Sequence, residues 1–328
     1  MNYIAPWWLP GGQVQTIWPT VYGRSQYAKV LGEATPYRRE RWTTPDGDFI
    51  DLDWLEAPRS NTLLVLFHGL EGSSDRHYAL AFADYAQQCG FSFVVPHFRG
   101  CSGQINLAPR AYHAGDHEEI GWVLQGLRQK HRGAIIAVGV SLGGNAVLRW
   151  AEEAGESARC LMDAVASLSA PVDLAASGQA LSRWLNRHIY ARMFLASMKS
   201  KALRKLAQYP GLFDEDALRA AGDLHAFDNV FTAPLHGFKN TDDYWARASA
   251  GPRLATIEVP TLLVNALNDP FVPQHSLPRP DGVGQYVTLW QPRQGGHVGF
   301  PAGQPPGHLR TLPKQVGAWL VKHRTAYG

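Results

Sequence analysis

The sequence predicts an α/β fold in which a mostly parallel central sheet is flanked by helices, and three observations predict it. Short apolar runs without alternation recur along the chain, as strands buried on both faces require. Helix-like segments separate those runs, the βαβ rhythm of a parallel sheet. The pentapeptide Gly139-Val140-Ser141-Leu142-Gly143 falls where one such run ends and a helical pattern begins.

The elements follow in order. Residues 1–37 mix Trp7, Trp8 and Trp18 with prolines and glycines in no clean period, which predicts an irregular arm. From Arg38, extended runs flank Pro45-Asp46-Gly47-Asp48, a turn sequence that predicts a β-hairpin at the antiparallel edge of the sheet. Strands are then expected at residues 62–67, 91–96, 134–140 and 164–168, with helices over 75–88, 116–131 and 145–154 between and around them. The rhythm resumes with strands at 261–265 and 286–290 and a closing amphipathic helix at 313–323. Between residues 172 and 248 the strand signal disappears, and Leu181, Leu185, Tyr190, Phe194 and Leu203 fall at helical spacings. Residues 1–171 and 249–328 therefore form the expected core, with residues 172–248 as a helical cap inserted over it.

Composition narrows the function. The chain has 328 residues, 45% of them hydrophobic, enough for a sizeable core. Thirty-one Lys and Arg against 28 Asp and Glu leave a balance too even for the basic field that nucleic-acid binding needs. No apolar run is long enough to span a bilayer, and the first residues lack the order of a secretory signal, so a soluble, cytoplasmic chain is expected. Cys89, Cys101 and Cys160 are widely spaced and fit neither a disulfide framework nor a zinc site. They are expected to be reduced thiols, two of them buried.

The pentapeptide carries the chemistry. A serine on a tight strand-to-helix turn needs small neighbours two residues before and after it, and Gly139 and Gly143 supply them. A serine hydroxyl is a poor nucleophile unless a base takes its proton and a third group holds the base. In α/β-hydrolases the order along the chain is nucleophile, acid, histidine. Asp269 in Asn268-Asp269-Pro270 follows one apolar strand, and His297 in Gly295-Gly296-His297-Val298-Gly299 follows the next. Asp243 and Asp281 are substitutes for the acid that follow no buried strand. The backbone N–H groups of Leu142 and of Leu70, in His68-Gly69-Leu70-Glu71-Gly72, are the expected oxyanion donors. His68 is assigned to bracing its loop, and Glu71 to solvent or a local salt bridge. His113 and His117 stand four apart, but Gly115-Asp116 marks a helix start between them and no third ligand is apparent. No metal or cofactor is called for, and oligomeric state leaves no signal.

These residues resemble the YheT-like α/β-hydrolases, relatives of the eukaryotic abhydrolase-domain phospholipases and the yeast medium-chain ethyl ester synthase/esterases. The resemblance rests on Gln15-Thr16-Ile17, His68 to Ser73, Arg99-Gly100-Cys101-Ser102-Gly103, Gly139 to Asn145, Phe227-Asp228, Thr232 to Phe238, Asn268-Asp269-Pro270 and Gly295-Gly296-His297. It implies a serine hydrolase for medium-chain or lipid-like acyl esters, acting on a small-molecule substrate and in contact at times with a membrane or lipid surface. The rival readings are acyl transfer to an alcohol through the same residues, and a non-catalytic binding module on the same fold. The His-x-x-x-x-Asp motif credited to acyltransferase members is absent, and the intact serine and histidine argue against a binding module.

Overall fold

The computed structural model describes residues 1–31 and 36–324. Eight strands form one sheet in the order β1-β2-β4-β3-β5-β6-β7-β8. They are β1 (Arg38–Thr43), β2 (Phe49–Leu55), β3 (Thr62–Phe67), β4 (Ser92–Pro96), β5 (Ala134–Val140), β6 (Ala164–Leu168), β7 (Thr261–Val264) and β8 (Val287–Trp290). β1 and β2 form the expected hairpin, β2 runs antiparallel to β4, and every later pairing is parallel. The edge strand β1 is charged, and Arg39 and Arg41 pair across the hairpin with the buried Asp53 and Asp51. Such an edge discourages pairing with another chain.

The unbroken apolar runs are explained by layers on both faces. Along β3, Leu63, Val65 and Phe67 enter one hydrophobic core, while Leu64 and Leu66 enter the other. β5 divides in the same way, with Ile135 and Ala137 opposite Ile136, Val138 and Val140. Helices α3 (His117–Lys130) and α4 (Leu142–Ala154) cover the first face; α2 (His77–Cys89) and α13 (Thr311–His323) cover the second. A short α5 (Ala158–Leu161) follows α4.

Between β6 and β7 the regular elements are all helical: α6 (Leu174–Ser182), α7 (Trp184–Asn186), a π-turn (Arg187–Ala191), α8 (Arg192–Gln208), α9 (Glu215–Ala220), α10 (Leu224–Val230), α11 (Thr232–Leu235), α12 (Thr241–Ala248) and a 3-10 helix (Gly251–Thr256). These helices have their own core, including Leu218, Phe227, Tyr244 and Trp245, which also takes in Phe271 and Val272 from the loop after β7.

Two expectations are corrected. The first segment is no irregular arm: α1 spans Gly11–Leu31 with Pro19 inside it. Glycines and an internal proline argue against a helix locally, but Trp18 and Tyr27 are buried with Leu80 and Leu309, and that tertiary packing prevails. Of the cysteines, only Cys101 is buried. Cys89 ends α2 and Cys160 lies on α5, both on exposed surfaces.

Candidate active site

Ser141 is the single residue that turns the chain from β5 into α4, which starts three residues earlier than the sequence predicts. It takes φ 53° and ψ −118°, a conformation that costs a non-glycine residue on the order of 1–3 kcal/mol. Glycine on both sides makes the turn possible. A Cβ on Gly139 would lie 2.6 Å from the Gly143 carbonyl oxygen, and one on Gly143 would lie 2.4 Å from that of His68. The Ser141 N–H donates to the Leu168 carbonyl at 2.8 Å, fastening the turn to the end of β6.

The loops after β7 and β8 bring Asp269 and His297 to this serine. Asp269 Oδ1 accepts from the N–H groups of Phe271 and Val272 at 2.8 and 3.2 Å. Its Oδ2 accepts from His297 Nδ1 at 2.9 Å, and His297 Nε2 lies 3.0 Å from Ser141 Oγ. A carboxylate accepts only, so it fixes the tautomer with the proton on Nδ1 and leaves the Nε2 lone pair facing the Ser141 hydroxyl. The Asp269 side chain is fully buried, and the Phe271 ring lies 4.3 Å from the imidazole, centroid to centroid. Asp243 is instead bound up with Lys239 and Arg247, and Asp281 lies in a turn at Pro280–Gly282.

Leu70 and Leu142 line the same apolar pocket as Ser141 and His297. Amides on either side of Leu70 are engaged: Gly69 N–H donates to the Tyr78 hydroxyl at 3.1 Å and Glu71 N–H to that of Tyr112 at 2.9 Å. Leu142 opens α4, where first-turn amides have no acceptor within the helix.

The matched model is that of the alpha/beta hydrolase fold, over residues 62–303. The chain belongs to the α/β-hydrolase family. Within it the chain is YheT-like, 36% identical over 319 residues to YheT of Escherichia coli (strain K12), with 95% of this chain and 91% of that protein covered. Phospholipase ABHD3 of Mus musculus is 29% identical, with coverage of 94% and 80%. Among solved structures, the Pyrococcus furiosus esterase Pf2001 shares the fold at a TM-score of 0.53 and 17% identity, covering 88% of this chain and 92% of that one.

Other residues of this hydrolase settle into supporting places. His68 is buried, accepting the Phe98 N–H at Nε2 (3.1 Å) with Nδ1 2.9 Å from the Gly69 carbonyl. Burial, reinforced by His97, lowers its pKa to about 3, so it stays neutral as a brace. Glu71 is a salt-bridge partner rather than a solvated group: Lys201 on α8 lies 3.0 Å from its carboxylate, and Ser197 and Tyr112 donate to it as well. His113 lies outside α3, packed among His236, Phe238 and Tyr244. Burial raises the Cys101 thiol to about 11, which keeps it protonated.

What the sequence did not disclose is the part played by α1. Gln15 is fully buried, and its Oε1 accepts from Asn268 Nδ2 at 3.0 Å and Gly295 N at 2.9 Å. Thr16 Oγ1 accepts the His297 N–H at 2.9 Å. One helical turn therefore clasps both the acid loop and the histidine loop. The only local signal was the Gln15-Thr16-Ile17 tripeptide itself, which carries no hint of what it touches.

Proposed function

We propose that the hydrolase cleaves medium-chain or lipid-like acyl esters through an acyl-enzyme on Ser141, with His297 as base and Asp269 as its orienting acid. The observation that carries this reading is the unbroken hydrogen-bonded series from Asp269 to His297 to Ser141 at the wall of an apolar pocket. That the chain is an enzyme acting on esters is supported by its relatives, YheT being provisionally named an esterase and ABHD3 a phospholipase.

Ser141 Oγ attacks the ester carbonyl as its proton passes to His297 Nε2. The amides of Leu142 and Leu70 hold the oxyanion. His297 then returns the proton to the departing alkoxide oxygen, releasing the alcohol and leaving an acyl-serine. Water, deprotonated by His297, attacks that ester, and collapse of the second oxyanion frees the acid and restores the Ser141 hydroxyl. Asp269 stabilises the imidazolium in each half without taking its proton. The helices between β6 and β7 act as a cap: Leu181, Phe194, Phe227 and Phe231 line the pocket beside Ser141 and suit an acyl chain.

Initial rates with p-nitrophenyl esters of graded chain length test this. The expected result is hydrolysis that is abolished by Ser141→Ala and that favours medium chains over acetyl. Undiminished turnover by a folded Ser141→Ala protein contradicts the assignment.

A further inference from the structure

Helix α8 turns apolar side chains inward and, in its first turn, outward. Phe194 and Met198, four residues apart, line the Ser141 pocket, whereas Met193 on the same helix is exposed together with Ile189 one turn before it. Leu185 and Trp184 continue that outer surface along α7, Trp184 with 76% of its area exposed. α1 joins it at Gln13, whose side chain donates to Asn186 at 2.9 Å and accepts from the Tyr190 hydroxyl at 2.7 Å. Beyond Gln13, Val14, Ile17 and Val21 fall on one stripe of α1, and all three are exposed. Single exposed apolar residues are ordinary, but two helices that meet and both turn such residues outward are not.

Charge says what the surface meets. From residue 174 to residue 213 the chain has no Asp or Glu, and none occurs in residues 1–32. Lys201 and Lys205 turn inward, to Glu71 and to the carbonyls of Asn106 and Ala108. Arg183, Arg187 and Arg192 are exposed and interleaved with Trp184, Ile189 and Met193. Cations set among aliphatic and tryptophan side chains, in a stretch of chain that itself holds no Asp or Glu, match an interface where lipid phosphates lie just above acyl chains.

We propose that this face docks the enzyme onto an anionic lipid bilayer. Trp184, Ile189 and Met193 enter the interface, and the three arginines pair with lipid phosphates. The inner side of α8 lines the pocket, so docking sets the bilayer one helix away from Ser141. The proposal concerns adsorption and stands apart from the assignment of the nucleophile.

Flotation of the full chain with vesicles of equimolar phosphatidylcholine and phosphatidylglycerol, and of phosphatidylcholine alone, tests it. Binding is expected on the anionic vesicles and should weaken with salt. An arginine near an anionic surface is worth about fivefold in partitioning, so the triple variant Arg183→Gln, Arg187→Gln, Arg192→Gln should bind about a hundredfold more weakly. Trp184→Ser with Met193→Ser should also release the protein. Both variants should retain hydrolysis of a soluble short-chain ester, which shows that they fold. The proposal is overturned if wild-type protein stays with the soluble fraction, or if the triple variant floats equally well. A dimer that Trp184→Ser dissociates, with no vesicle binding, would make the face a chain–chain interface and overturn it as well.

Discussion

His297 is held from three directions: its backbone N–H by Thr16, its Nδ1 by Asp269, and its ring by Phe271, leaving Nε2 for Ser141. Asp269→Asn should leave a folded protein with kcat reduced by roughly 10⁴, because the amide no longer fixes the tautomer or stabilises the imidazolium. Thr16→Val removes the hydroxyl that accepts from the His297 N–H and donates to the Gly12 carbonyl, and it should lower kcat with little change in KM, a split that steady-state kinetics resolves. His68 carries a different prediction. Its pKa is lowered to about 3 in the folded state by burial, from 6.5 when unfolded. The unfolded chain therefore binds the extra proton, and this contribution to stability is complete above about 6.5 and is lost as pH falls toward about 3. His68→Gln should flatten the fall in stability between those limits, measured by urea denaturation. The meeting of Ser141, Asp269 and His297 was legible because each has a local context and a fixed order along the chain. Thr16 and Gln15 were not, since their roles exist only through contacts 281 and 280 residues away.

Elements were legible where burial on both faces simplified the pattern. β5 and β6 have the predicted limits because every residue in them faces a core. α1 was missed for the opposite reason: its Trp18 side is buried while Val14, Ile17 and Val21 are exposed, so no polar face marks its period. The tie between α8 and the loop of Leu70 was also illegible, because Glu71 and Lys201 are distant in sequence and meet only when the helices fold over the sheet. With Lys201 replaced by Met, the Glu71 carboxylate is left buried beside Leu70 without its cation. Stability and turnover should both fall, and Glu71→Gln in that background should recover part of the stability. A double-mutant cycle by urea denaturation should give a coupling of about 1–3 kcal/mol, and a coupling near zero would separate the helix from the loop.

At the scale of the molecule, the parallel strands bring their C-terminal ends together, and the helices between β6 and β7 close a mainly apolar pocket over Ser141. Fold class and the helical nature of residues 172–248 were readable from the run of periods. The pocket was not, because it is built from residues of many elements at once. Each methylene buried there contributes about 0.8 kcal/mol, roughly fourfold in kcat/KM, so the ester series should rise with acyl length until the pocket is full. A steady decline from acetyl upward would remove the medium-chain substrate and leave the nucleophile standing. Added ethanol should divert little of the acyl group from water, as product partition reports. The central claim is that Ser141 is the activated nucleophile, and labelling with a fluorophosphonate probe, with the adduct located by mass spectrometry, tests it most directly. The account predicts one adduct, on Ser141, absent from Ser141→Ala and much slowed in His297→Ala. An adduct on another residue, or equal labelling of folded Ser141→Ala, would contradict it.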